Sequence, residues 1–241
     1  MTAAGTRARV RAELTREIVD VARRHLASDG AAALSLRAVA RELGMASSAV
    51  YRYFPSRDEL LTALIVDAYD ALGADAEEAE RLVPRADLRA RFRSVCTATR
   101  EWARVHPHEY ALIYGSPVPG YAAPESTIGP AARVGEALSR VIADGIEAGT
   151  VDPAADATGA DSAVEPGLVE RLGLSTEEPN PSIAARALLA WTTLFGLISF
   201  ELFGHTNNVV IDHERYFDDA VERLATMVGL PQEEVRPAAT P

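Results

Sequence analysis

The sequence predicts an all-α protein with a small N-terminal helix-turn-helix domain and a larger helical C-terminal domain. Between residues 35 and 61, two short amphipathic segments flank a glycine, a pattern typical of a helix-turn-helix. Elsewhere apolar residues recur at helical spacing over 15–30, 86–105, 130–149, 181–203 and 212–228. Proline or glycine often ends these stretches. At 241 residues and 48% hydrophobic content, the chain is long and apolar enough to bury a real core.

The first predicted helices supply the walls of a small core. A helix over 15–30 places four apolar residues on one face: Ile18, Val21, Ala22 and Leu26. Ser35 is placed to cap the next helix and Gly44 to end it. The apolar residues of that helix recur at i, i+3, i+4 and i+7: Leu36, Val39, Ala40 and Leu43.

The segment 47–54 carries the chemistry of the predicted helix-turn-helix. It keeps Val50 and Phe54 for the core, and directs hydroxyl and guanidinium groups outward from Ser47, Ser48, Tyr51, Arg52 and Tyr53. Groups of this kind bind phosphates and base edges. The next helix opens with a capping box from Ser56 to Glu59, and its first turn is expected to expose Arg57. A glycine turn alone fits other helical proteins equally well, and the hydroxyl-rich helix favours DNA binding.

The run LSLRAVARELGMASSAVYRYFPSRDELL, residues 34–61, closely resembles the N-terminal domain of TetR-family transcriptional regulators. Residues of this chain stand at the family's motif positions: Gly44, Ser47, Ser48, Tyr51, Tyr53, Phe54 and Arg57. The last of these positions is commonly lysine, and arginine keeps its positive charge. We assign Tyr51, Ser56 and Arg57 to phosphates, Arg37, Ser47 and Ser48 to base edges or neighbouring phosphates, and Arg52 and Tyr53 to either.

Charge divides unevenly along the chain. Residues 1–60 hold ten arginines and seven acidic residues, a net charge of +3, whereas the remainder holds 14 basic and 28 acidic residues, a net charge of −14. A basic small domain attached to an acidic larger one favours binding of DNA by the small domain, unless the asymmetry carries no function. We expect residues 1–14 to form a flexible basic arm, in which Arg7, Arg9 and Arg11 either contact DNA or are simply solvated.

The predicted domains are 15–71 for DNA binding and 72–230 for ligand binding and dimerisation, with Pro84 as a hinge and 231–241 as a disordered tail. The segment 150–182, rich in Asp, Ala, Gly, Pro and Thr, reads as a linker or a functional lid, with one helical turn near 168–172. Seven side chains either line an apolar ligand pocket or fill the core: Trp102, His106, Tyr110, Tyr114, Tyr121, Trp191 and Phe195.

The helix over 181–203 is apolar on nearly every side and therefore needs two partners. Its face of small residues suggests a second helix packed closely against it. The resemblance to TetR-family proteins implies that the last two helices pair with those of a second subunit in a four-helix bundle. The expected interface residues are Thr192, Gly196, Ser199, Phe203, Phe217 and Leu224.

These features predict a cytoplasmic homodimeric repressor that binds a pseudo-palindromic double-stranded DNA operator and is released by a small-molecule effector; the alternative is control by a protein partner. Catalysis is disfavoured because Cys96 with His106 or His108 lacks a third positioned group. No cofactor or metal is expected. The single cysteine fits a reducing compartment, the N-terminus lacks an apolar signal region, and the apolar core of the longest helix, 187–200, looks too short to span a membrane.

Overall fold

The computed structural model describes residues 3–154, 163–165, 167–174 and 180–232, apart from the side chains of Ala3, Ala4 and Arg7. Within these ranges the chain forms helices and no strand, which confirms the all-α prediction. The α-helices are α1 Ala3–Asp29, α2 Leu36–Glu42, α3 Ser47–Val50, α4 Arg57–Arg81, α5 Leu88–Val105, α6 Pro107–Tyr114, α7 Ile128–Glu147, α8 Leu168–Arg171, α9 Pro181–Leu202 and α10 His213–Met227. Short 3₁₀ helices cover Ala31–Ala33 and Glu125–Thr127.

The chain divides into two compact units, residues 1–71 with 105–131 and residues 72–104 with 132–241. The sequence placed the boundary at 71/72 but assigned 105–131 to the C-terminal domain. Hydrogen bonds and apolar contacts explain why that segment belongs with the first unit. The Tyr69 hydroxyl donates to the Ile113 carbonyl at 3.2 Å, Tyr121 and Thr62 hydroxyls lie 2.8 Å apart, and Leu112 packs against the buried core of the first unit.

The first helix extends further toward the N-terminus than expected. Residues 3–14, predicted as a flexible arm, are helical in α1. Alanine and arginine both have high helix propensity, and Arg9 pairs with Glu13 one turn later at 3.7 Å. The Arg7 side chain, named above as a candidate contact, lies outside the described residues.

The helix-turn-helix forms where the sequence placed it. The predicted apolar residues of α1 and α2 are buried, apart from the half-buried Leu43, and most of them form one core with Val50, Phe54 and the first half of α4. Gly44 adopts φ 65°, a left-handed conformation that an L side chain would strain, and the Met45 amide donates to the Ala40 carbonyl at 2.9 Å to close the turn. Ser35 stands at the N-cap position of α2 but forms no side-chain cap bond. The Ser56 hydroxyl does accept the Glu59 amide, at 3.1 Å.

The second unit follows the predicted helices closely, with α10 capped by the Asp212 carboxylate, which accepts the Arg215 amide at 3.0 Å. The single turn expected near 168–172 is present as α8. The sequence left open whether 150–182 is a lid or a linker. Much of that segment, residues 155–162, 166 and 175–179, lies outside the described residues. The predicted disordered tail also lies outside the described residues, from residue 233 onward.

The longest apolar helix is not too short to span a membrane, contrary to the prediction from the sequence. Helix α9 has 22 residues and a window of mean hydropathy 1.6, so by length and composition alone it meets the requirement for a membrane span. This stretch includes Arg186, whose buried guanidinium donates to the carbonyls of Asp152 and Pro153. Core helices of globular proteins meet the same criterion, and Ile183, Leu194 and Ile198 of α9 are buried within the second unit.

Candidate nucleic-acid interface and effector unit

Helices α2 and α3 present a surface of polar and cationic groups. Val50 and Phe54 anchor the α3 segment in the core. The opposite side carries Ser48, Arg52 and Tyr51, whose side chain is 42% exposed, and Arg37 is exposed on α2. Ser47, Tyr53 and Ser56 are half-buried. Hydroxyl and guanidinium donors on one exposed helical surface are the groups with which proteins contact phosphates and base edges.

The N-terminal helix contacts the end of this surface. Arg11 donates from Nη2 to the Arg52 carbonyl at 3.2 Å, and its guanidinium carbon lies 5.0 Å from the centre of the Tyr53 ring. A cation over an aromatic face is attracted by the ring quadrupole. Arg11 thereby holds the end of the α3 segment. This contact was not predicted from the sequence, where residues 1–14 were expected to form a flexible arm.

Arg57 donates to protein carbonyls, whereas the sequence predicted that it contacts a phosphate. Its Nε donates to the Leu34 carbonyl at 3.1 Å, and its Nη2 donates to the carbonyls of Ala31 and Ala32 at 2.8 and 3.3 Å. Its Nη1 lies 3.7 Å from the Asp58 carboxylate. The expectation of an outward-facing guanidinium fails because the backbone carbonyls after Gly30 lie within reach of the first turn of α4.

Comparisons with known proteins agree with a DNA-binding role for the helix-turn-helix. Residues 18–64 match the family of bacterial regulatory proteins described as the tetR family, and residues 92–224 match the tetracyclin repressor-like C-terminal domain. Helix-turn-helix-type transcriptional regulators of Mycobacterium tuberculosis and Mycobacterium bovis are 39% identical over 228 residues, covering 93% of this chain and 95% of theirs. The chain belongs to the TetR family. It is accordingly a DNA-binding transcriptional regulator and not an enzyme.

Solved structures match most of the chain. The crystal structure of the regulatory protein SCO4313 superposes with a TM-score of 0.71 at 34% identity, covering 91% of this chain and 98% of that one. A Rhodococcus protein described as having unknown function superposes with a TM-score of 0.67 at 24% identity and so shows the fold alone. Both matches extend over about nine-tenths of this chain and show its fold.

The predicted ligand-contacting aromatics fall into two groups. In the first unit Tyr110 is fully buried, and the Tyr114 ring is tilted against it with ring centres 5.1 Å apart and meets the Tyr69 ring edge to face at 5.8 Å. Burial raises the pKa of Tyr114, so its hydroxyl stays neutral. In the second unit Trp191 and Phe195 are a ring pair 5.3 Å apart. The remaining three are a buried Trp102 in the second unit and half-buried His106 and Tyr121 in the first.

Two cavities of the second unit are lined by residues other than these seven. One of 460 Å³ is bordered by charged side chains that include Arg89, Arg93 and Glu222. Another of 280 Å³ lies between α9 and α10 and is mostly apolar, with Phe200, Tyr216 and Phe217 among its lining residues. Neither is lined by any of the seven predicted residues. An effector site built from those seven residues therefore stays a prediction, and several of them are core residues in the structure.

Part of the predicted dimer interface lies inside the protomer. Phe217 and Leu224 of α10 are buried against their own unit, because the apolar face of α10 packs on the rest of that unit. Thr192 and Gly196 are exposed, Phe203 is 41% exposed and Ser199 is half-buried. Other large apolar side chains are also exposed on α9 and α10, and they were not among the predicted interface residues: Leu188, Leu189, Phe200 and Tyr216.

The lone cysteine is not placed for chemistry. Cys96 is fully buried in α5, and burial raises the pKa of its thiol. Thiolates are the nucleophilic form of cysteine, so a thiol kept neutral in an apolar core is inert. Cys96 serves as a small core residue, as expected.

Proposed function

We propose that this TetR-family regulator is a homodimeric repressor that binds a pseudo-palindromic operator and is released by a small-molecule effector. The observation that carries the dimer is the exposed apolar face of α9, where Leu189 is 53% and Phe200 57% exposed beside an open glycine, Gly196. Exposed apolar surface of this kind is typical of a subunit interface. The regulator acts in the cytoplasm, where its operator lies.

On the operator, each subunit places its α2 and α3 surface in one major groove. Tyr51 and Ser56 contact phosphates, Arg37, Ser47 and Ser48 contact base edges or neighbouring phosphates, and Arg52 and Tyr53 contact either. Two such surfaces related by a twofold axis read half-sites about one helical turn, roughly 34–36 Å, apart. Arg9, exposed one turn before Glu13, adds positive charge beside the groove.

Selection from random duplex DNA by the purified full-length chain tests DNA reading, with Tyr51→Ala as the control. The proposal expects an inverted repeat that the control fails to enrich. Enrichment of a single, unrepeated site would contradict the dimer, and equal enrichment by the control would contradict the placement of Tyr51.

A substitution at Gly196 tests the interface. A Cβ at this position meets nothing within 4 Å inside the protomer, so Gly196→Ala alone should stabilise an isolated subunit by about 0.5–1 kcal/mol, the helix preference of alanine over glycine. If a partner helix packs against Gly196, the bulkier Gly196→Leu weakens the dimer instead. Sedimentation equilibrium should show monomer at concentrations where the wild type is a dimer. An unchanged association constant would exclude Gly196 from the interface.

An effector would act by favouring a dimer whose two recognition surfaces stand at the wrong separation. The first residue to test is Trp191, which is half-buried and packs beside Gly135 on α7. A library screen for compounds that both raise the melting temperature and release operator DNA tests the idea. Loss of both effects in Trp191→Ala would support this site, and hits unaffected by that substitution would place the effector elsewhere.

Control by a protein partner is the second candidate. It is favoured by the turn after α9, where Val209 is 75% exposed and Ile211 is fully exposed. Substituting both by serine should abolish regulation by a partner and leave small-molecule release unchanged. The opposite outcome would favour the effector.

A further inference from the structure

We infer that Arg57 is a positioning residue, which holds the two ends of the helix-turn-helix together, and not a phosphate contact. This inference rests on the proposed DNA-binding function and concerns how the recognition surface is kept in place. Two of the three guanidinium nitrogens donate to backbone carbonyls, Nε to Leu34 and Nη2 to Ala31 and Ala32, and Nη1 lies 3.7 Å from the Asp58 carboxylate, an ion pair. A phosphate would have to compete with the Asp58 carboxylate for the charge and with these carbonyls for the orientation of the guanidinium.

The position of these bonds in the chain gives them their effect. The acceptors end at Leu34, just before α2, and Arg57 is the first residue of α4. The bond from Nε to Leu34 spans 23 residues, and the segment it closes contains the proposed DNA contacts from Arg37 to Ser56. The guanidinium therefore ties the start of this segment to its end.

The acceptors are unusually suited to a guanidinium. Gly30 turns the chain with φ 79° into the 3₁₀ helix Ala31–Ala33, which directs successive carbonyls toward one point. Arginine presents donors in a rigid planar fork, whereas the ammonium of lysine is a compact point charge on a flexible stem. The Arg57 side chain is only 31% exposed, so its bonds are partly shielded from water. Lysine at this position would keep the charge and lose the fork.

Two variants separate positioning from phosphate contact. Arg57→Lys keeps the charge and Arg57→Ala removes it. If Arg57 positions the segment, both variants should bind the selected operator at least about tenfold more weakly, since each loses several hydrogen bonds of the clamp. Neither should change the dependence of affinity on salt, because the number of neutralised phosphates is unchanged.

The matched control is Arg104→Lys, at an exposed arginine of the second unit that pairs with Glu101 at 2.8 Å. It should bind like the wild type, because this arginine lies outside the recognition surface. The inference is overturned if Arg57→Lys binds like the wild type while Arg57→Ala lowers the salt slope by about one unit, the signature of a lost phosphate contact. Wild-type affinity in both variants also overturns it.

Hydrogen exchange in the free protein gives a readout that needs no operator. Amides of α2 and α3 should exchange faster in Arg57→Lys, while those of α5 in the second unit stay protected as in the wild type. Unchanged exchange in α2 and α3 would overturn the clamp. If the wild type selects no operator, the proposed DNA reading fails, and this exchange measurement still decides the role of Arg57.

Discussion

Arginine serves different purposes in the two units of this protein. On the recognition side of the first unit, Arg37, Arg41 and Arg52 are exposed, and their guanidinium groups form no ion pair with another described residue. In the second unit four arginines are nearly inaccessible to solvent: Arg89, Arg91, Arg100 and Arg186. Since every basic residue of the chain is arginine, position and partners decide what each one does.

The buried arginines explain part of the acidic excess of the second unit. A buried charge is costly unless it is paired and hydrogen-bonded. Arg91 pairs with Glu80 and Asp144, and Arg100 forms a bidentate pair with Glu201 at 2.8 and 2.9 Å. The acidic residues of this unit thus join its helices as well as setting its negative charge. Arg57 differs from the exposed arginines of the recognition side, since its guanidinium donates to backbone carbonyls of the first unit.

The largest effect should come from the most deeply buried of these groups. Arg91→Leu leaves Glu80 and Asp144 without their buried partner, and we expect unfolding in denaturant to cost about 3–5 kcal/mol less. Arg85 contacts the same two carboxylates from a side chain that is 65% exposed. Arg85→Leu should therefore cost only about 0–1 kcal/mol. Equal losses in the two variants would show that burial does not distinguish these arginines.

An exposed recognition arginine should affect DNA and not the fold. Arg52→Gln should lower affinity for all sequences alike and reduce the salt slope by about one unit if Arg52 binds a phosphate. The matched control is Arg104→Gln, an exposed arginine of the second unit that pairs with Glu101 at 2.8 Å. Fluorescence anisotropy at several salt concentrations measures both. A slope that changes equally in the two variants would mean that only net charge matters.

We expect a smaller effect of Glu222 on how stability depends on pH. Burial acts to raise the pKa of Glu222, but hydrogen bonds from Arg89 and Arg93 outweigh it and hold that pKa below its ordinary value of 4.5. A carboxyl group with a lowered folded pKa stabilises the fold above its unfolded pKa, and this contribution is lost as the pH falls through the folded value. Stability of the wild type should therefore decline below about pH 4.5.

Glu222→Gln should flatten that decline in urea unfolding measured between neutral pH and the acid range. Glu147→Gln, at an exposed carboxylate near the end of α7, is the matched control and should leave it unchanged. A decline of the same steepness in Glu222→Gln would contradict the ion pair as its source.

The sequence predicted the helices well because their apolar spacing and their glycine and proline boundaries are local signals. The partners of Arg57 and the buried state of Phe217 and Leu224 escaped it for a common reason. Each depends on contacts with residues from elsewhere in the chain, such as the Leu34 carbonyl that accepts from Arg57. The aromatic residues failed to define one pocket because Tyr110 and Trp191 belong to different units, a separation that no local pattern reveals.

The spacing of operator half-sites tests most directly the central claim that two recognition surfaces of one dimer read DNA together. Inserting five base pairs between the halves of the selected operator turns one half-site to the opposite side of the duplex, since a helical turn takes about 10–10.5 base pairs. We expect affinity to fall to that of an isolated half-site. Unchanged affinity would contradict the account, because the two halves would then be bound by independent subunits.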